Sequence, residues 1–179
     1  IGVLYGKKAL LEAMPPFLRG GEMISMVSRD GQEYAPLPHK FEAGTVNAAG
    51  VAGLHAAIDY INSVGFDIIE EREAALTELA FTAMQKIKGV NIIGSPYVED
   101  HKGIITFTVE GVHPHDIAAI LDADGVNIRA GNHCAQPLLD HLCTGATARA
   151  SFAFYNDAAD IKRFIDSLST IRERMGYGR

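Results

Sequence analysis

The sequence predicts an α/β protein, with helices and short strands interleaved around a small sheet. Three observations carry this expectation. Residues 46–88 read almost entirely as two successive helices. After Gly89 the period changes to the β-rich runs "VNIIG" and "GIITFTVEG". Helical and strand-like segments then alternate to the end of the chain.

The opening run "IGVLYG" is apolar and closed by Gly6, which reads as a buried strand already under way. With no initiator Met before it, the natural protein is expected to continue upstream. "KKALLEAMPP" is a short helix stopped by Pro15 and Pro16. Residues 17–45 show no clean period and are rich in Gly and Pro, a long loop of the kind that often carries function. Over 46–65, Val51, Leu54, Ile58 and Ile61 fall at helical spacing. "FDIIEEREAALTELAFTAMQKIKG" continues as a second amphipathic helix, with Asp67 as its cap and Lys86 and Lys88 closing it before Gly89. "HPHDIAAILDADG" starts a helix, with Pro114 suited to its first turn and Asp116 to its dipole. "VNIRAG" and "TARASFAFYN" are short strands, and "DAADIKRFIDSLSTIRERMG" is a final amphipathic helix with a basic last turn. Gly178 and Arg179 are expected to fray. A domain boundary is placed within 61–67, dividing the chain into 1–63 and 64–179.

Composition narrows the function. At 47% hydrophobic and 21% charged, the 179 residues can bury one core or two small ones. A net charge of −6 and the absence of a basic stripe with interleaved aromatics argue against nucleic-acid binding. No apolar run is long enough to span a bilayer, and no signal peptide opens the chain. Two cysteines do not make a disulfide framework and suit a reducing cytoplasm.

One of those cysteines, Cys134, sits in "RAGNHCAQP", among polar and turn-forming residues. A structural cysteine more often lies inside an apolar run. Here Arg129 is five residues upstream and His133 is adjacent, the positive surroundings that favour a reactive thiolate. The residues alone leave two readings open, a nucleophile or a small loop-filling side chain. A zinc site would draw on His133, Cys134, His141 and Cys143. Their spacing fits poorly, because adjacent His and Cys rarely reach one ion. Arg149, on a predicted strand among small and apolar residues, needs a partner if buried. That partner is either an internal carboxylate or a substrate carboxylate gripped by two hydrogen bonds. In "FEAGT", Thr45 is a natural helix N-cap, at a position where free amides also favour anions. Lys40 reads as a solvated loop lysine.

Taken together, "RAGNHCAQPL", Arg149 in "ARASFAFYN", and "GVLYGKK", "PPFLRGGEMI" and "FEAGTVN" in that order resemble the SufS-type (group II) cysteine desulfurases. These belong to the class V aminotransferase group of pyridoxal-phosphate enzymes. The resemblance covers essentially the whole chain. It implies the C-terminal part of a fold-type I transferase: the end of the large cofactor domain with a linking helix over 1–63, and the small α/β domain over 64–179. It implies that Cys134 takes sulfur from cysteine as a persulfide while alanine leaves, and that Arg149 binds the substrate α-carboxylate. Arg129 and His133 would shape the thiol's surroundings. Thr45 would contact cofactor phosphate in a neighbouring subunit of a homodimer, with Gly21 and Gly20 nearby. The family's cofactor-bearing lysine, ring-stacking histidine and ring-nitrogen aspartate match no position here, so the 179 residues alone are expected to be inactive. Asn132 replaces a family histidine. A compact loop around the cysteine implies a sulfur acceptor of SufE or SufU type in iron–sulfur cluster assembly. Selenocysteine lyase, another class V enzyme, and a non-enzymatic sulfur-accepting or dimerising module are the alternatives.

Overall fold

The computed structural model describes residues 1–177 and divides the chain into two compact units, Ile1–Ser63 and the remainder from Val64. The end expected to fray, Gly178 and Arg179, lies outside the described residues.

In the first unit the opening run is not a strand. Ile1, Val3, Leu4 and Tyr5 are exposed, and among the described residues no neighbouring strand pairs with them. An apolar run becomes a strand only where a partner accepts its backbone hydrogen bonds. Helix α1 (Lys8–Ala13) follows, and the chain turns away at Met14 before the two prolines. Lys40 corrects another expectation, since it is half-buried rather than solvated. Its ammonium donates to the carbonyls of Leu11 (3.2 Å) and Glu12 (2.8 Å), the acceptors a helix end leaves unpaired.

The aperiodic segment contains a small antiparallel hairpin, β1 (Ile24–Val27) and β2 (Gln32–Tyr34). Met23, fully buried beside it, accepts a backbone hydrogen bond from Ala35 (2.9 Å) and anchors its open end. Helix α2 (Ala48–Val64) forms where the apolar spacing predicts it, but none of its residues is buried. Val51 and Ile58 stay exposed among the described residues. Its N-terminus is capped by Asn47, whose side-chain oxygen accepts from the Gly50 N–H at 2.8 Å, and not by Thr45. The helix begins at Ala48, so only Asn47 stands where a short side chain reaches the first-turn amides.

The second unit holds a four-stranded antiparallel sheet of order β3-β4-β6-β5, built from β3 (Val90–Ile93), β4 (Ile104–Val109), β5 (Arg129–Gly131) and β6 (Thr147–Ser151). Helices α3 (Phe66–Met84), α4 (Pro114–Ala123) and α6 (Ala158–Arg174) supply the apolar side chains that pack with the sheet. The alternation in β4 explains why. Ile105, Phe107 and Val109 point into the core with Ala148 and Ala150 of β6, leaving Thr106 and Arg149 as partners on the opposite face. Helix α3 starts at Gly65 with no side-chain cap, so Asp67 acts within the first turn and not as the cap. Helix α6 is held by a reciprocal capping box between Asp157 and Asp160. A short helix, α5 (Gln136–His141), also forms in a segment to which the sequence reading assigns no element.

Candidate active site

Strands β5 and β6 set the site. They pair in register Arg129↔Arg149, Ala130↔Ala148 and Gly131↔Thr147. The two arginines are therefore cross-strand neighbours, and like charges placed so are unfavourable unless an anion or an acid joins them. Among the described residues neither has an ion-pair partner, and the Arg149 Nε is buried without a hydrogen bond. Among the described residues, then, no internal carboxylate pairs with Arg149, and its fork is open on this side of the sheet.

The chain leaves β5 at Gly131 and turns through Asn132, His133 and Cys134. His133 and Cys134 both take left-handed conformations, with φ of 52° and 58°. Such a residue costs about 1 kcal/mol when it is not glycine, so neighbouring contacts must hold the turn. One contact is visible. The His133 Nε2 lies 2.9 Å from the Thr147 hydroxyl and 3.1 Å from the Thr147 carbonyl oxygen, on the fully buried first residue of β6. A carbonyl only accepts, which assigns the ring hydrogen to Nε2 and leaves Nδ1 bare. That Nδ1 is buried and unpaired. Burial holds the imidazole below its usual range, and Arg149 and Arg129 add to this, while the Thr147 carbonyl bond opposes it. His133 is therefore neutral at physiological pH.

The same turn leaves Cys134 exposed. Arg129 Nη2 points at its sulfur from 3.8 Å. The structure thus gathers Arg129, His133, Cys134 and Arg149 at one end of two paired strands. It does not gather His133, Cys134, His141 and Cys143 into a metal centre, nor does any other group of three or more ligating side chains converge among the described residues.

Thr45 and Gly21 belong to the first unit, where Gly21 is joined to Gly44, the residue before Thr45. The Gly44 N–H donates to the Gly21 carbonyl at 2.9 Å, closing the turn that presents Thr45. Gly44 has a φ of 79°, and a Cβ on either Gly44 or Gly21 would meet nothing within 4 Å. Freed of capping, the Thr45 hydroxyl is exposed and has no hydrogen-bond partner among the described residues. The turn fits contact with a phosphate group. It does not fit covalent attachment of a cofactor, because Lys40, the lysine nearest in sequence, is held on the carbonyls of α1. Thr147, which no motif singled out, is the residue missed by sequence reasoning. Its only signal was a small polar residue at the start of a strand otherwise ready for the core.

With this geometry in place, comparisons with known proteins define the class. The aminotransferase class-V family model matches residues 1–164, and the chain belongs to that family. Several curated relatives are named as probable cysteine desulfurases. The chain is 47% identical over 176 residues to a probable cysteine desulfurase of Streptomyces coelicolor, covering 98% of this chain and 42% of the relative. Among solved structures, the cysteine desulfurase CsdA of Escherichia coli superposes with a TM-score of 0.88 at 38% identity, over 95% of this chain and 42% of the other. The apo cysteine desulfurase of Thermococcus onnurineus gives 0.89 at 35% identity, over the same shares. The chain spans about two fifths of the length of these relatives. No helix among the described residues is long and apolar enough to cross a membrane.

Proposed function

We propose that this chain is the C-terminal part of a pyridoxal-phosphate-dependent cysteine desulfurase, with Cys134 as the residue that receives sulfur. The observation that carries this reading is the exposed Cys134 thiol, faced by Arg129, whose register partner Arg149 has a buried Nε without a hydrogen bond. Arg149 holds the substrate α-carboxylate by two parallel N–H···O bonds. Arg129 steadies negative charge on the sulfur. The Cys134 thiolate attacks the sulfur of the bound cysteine. A sulfur–sulfur bond forms as the substrate's carbon–sulfur bond breaks, and the electron pair left on carbon takes a proton. L-Cysteine and the Cys134 thiol become L-alanine and the Cys134 persulfide. Pyridoxal phosphate, when bound, supplies the electron sink for this chemistry. Thr45, with the Gly21–Gly44 turn behind it, contacts the cofactor phosphate in the neighbouring subunit of a homodimer.

The finer assignment follows the same reading. The protein is of SufS type, works in the cytoplasm, and passes sulfur to an acceptor of SufE or SufU type for iron–sulfur cluster assembly. The exposure of Cys134, within reach of a docking partner, supports this. The 179 residues taken alone do not turn over cysteine, because none of their lysines matches the cofactor-bearing position. The test is alanine formation from L-cysteine by the full-length protein loaded with pyridoxal phosphate. Activity lost in Cys134→Ala supports the reading, and alanine release unchanged in that variant refutes it.

A further inference from the structure

We propose that Thr147 is a positioning residue of this site, acting through His133 to hold the Cys134 thiol against Arg129; this rests on the desulfurase reading above. Three independent features meet at this point. The first is backbone geometry. His133 and Cys134 are consecutive non-glycine residues in left-handed conformation, which persists only where the surroundings over-determine it. The second is the anchor. The His133 ring reaches across 14 residues to Thr147, where the carbonyl and the hydroxyl both lie within hydrogen-bond distance of Nε2. Thr147 is fully buried and paired in register with Gly131, the last residue before the turn, so the anchor is fixed to the same strand pair that the turn leaves. The third is what the turn delivers. Cys134 comes back over β5, with its sulfur 3.8 Å from the guanidinium of Arg129, five residues earlier.

A buried threonine at the head of a core strand has no need of its hydroxyl for packing, and valine has nearly the same shape. A hydroxyl kept dry there is costly unless it is bonded. Here the ring of His133 takes up that bonding capacity. The contact thus joins a rigid strand to a turn that has no apolar anchor of its own, since Asn132, Cys134 and Gln136 are all exposed. Thr147 touches neither substrate nor sulfur. It acts by fixing a ring, and the ring fixes the turn.

The experiment uses the full-length protein and four variants: Thr147→Val, Thr147→Ser, His133→Ala and His133→Gln. The readout is the rate of iodoacetamide alkylation of Cys134, followed by peptide mass mapping. Cys143, also exposed and outside the contact, is the internal reference. Thr147→Val removes the hydroxyl contact and keeps the carbonyl one, whereas His133→Ala removes both. The thiol then moves off Arg129, so both variants slow Cys134 alkylation relative to Cys143, His133→Ala on the order of tenfold and Thr147→Val by about threefold. Thr147→Ser and His133→Gln, which keep the hydroxyl and an Nε2-like donor, restore it. With the cofactor bound, kcat for cysteine falls in the two damaging variants while KM holds. Equal alkylation rates in Thr147→Val and the wild type overturn the proposal. Should Thr147→Val fail to fold, His133→Ala decides in the same way. Alkylation does not require turnover. A wild-type protein that releases no alanine defeats the desulfurase reading and leaves the anchor to be judged by alkylation alone.

Discussion

Arg129 and Arg149 are register partners on adjacent strands, and neither has an acidic partner among the described residues. On the desulfurase reading proposed above, two cations so placed receive the substrate carboxylate. Replacing Arg149 by Lys keeps the charge and loses the planar fork. The cost is about 2 kcal/mol, or roughly thirtyfold in kcat/KM for cysteine. The loss falls mainly on KM, and steady-state kinetics of the full-length protein read it directly.

The neutral His133 makes stability depend on pH. Its folded value lies below the usual value of about 6.5, first through burial and then through Arg149 and Arg129. Between the folded value and about pH 6.5 the unfolded chain binds more protons, so stability rises with pH across that window. The contribution is fully present above about pH 6.5 and is lost as pH falls through the folded value. Urea midpoints of the wild type should therefore drop relative to His133→Gln as the pH is lowered below about 6.5. Parallel curves contradict this.

Phe107 is fully buried at the centre of the four-stranded sheet and packs edge-on against Phe164 of α6. Phe107→Ala removes that ring from a closed core and costs about 3–5 kcal/mol. Denaturant unfolding measures the loss. A change below about 1 kcal/mol would mean that the second unit's core lies elsewhere.

Lys40 ties the end of α1 to the loop that leads to Thr45. Lys40→Met keeps the apolar stem and removes the donor. Amide exchange in α1 should then speed up by about tenfold, with exchange in α6 unchanged.

Much of the second unit is legible in the sequence because its elements are long or sharply patterned. The β-rich run of β4, the helix start at Pro114 and the amphipathic α6 with its basic last turn each declare themselves locally. Short elements do not. "ISMV" and "QEY" are too brief to show a period of two, and α5 is a single short helix hidden behind Pro137. The cap of α2 is ambiguous in the sequence for a related reason, because Thr45 and Asn47 compete and only the helix start decides for Asn47. At the site, Cys134, Arg129 and Arg149 stand out in the sequence as residues that need an explanation, but residue types and spacing leave their roles open, and only the family resemblance assigns them. Thr147 does not stand out. Its role exists only once β5 and β6 pair and the turn folds back across them.

The most direct test of the account is where sulfur goes. The full-length protein, loaded with pyridoxal phosphate and given L-cysteine without an acceptor, is digested and its cysteine peptides are weighed. The account predicts one added sulfur atom on the Cys134 peptide and none on the Cys143 peptide. Sulfur on Cys143 alone, or alanine formed with both thiols unmodified, contradicts it.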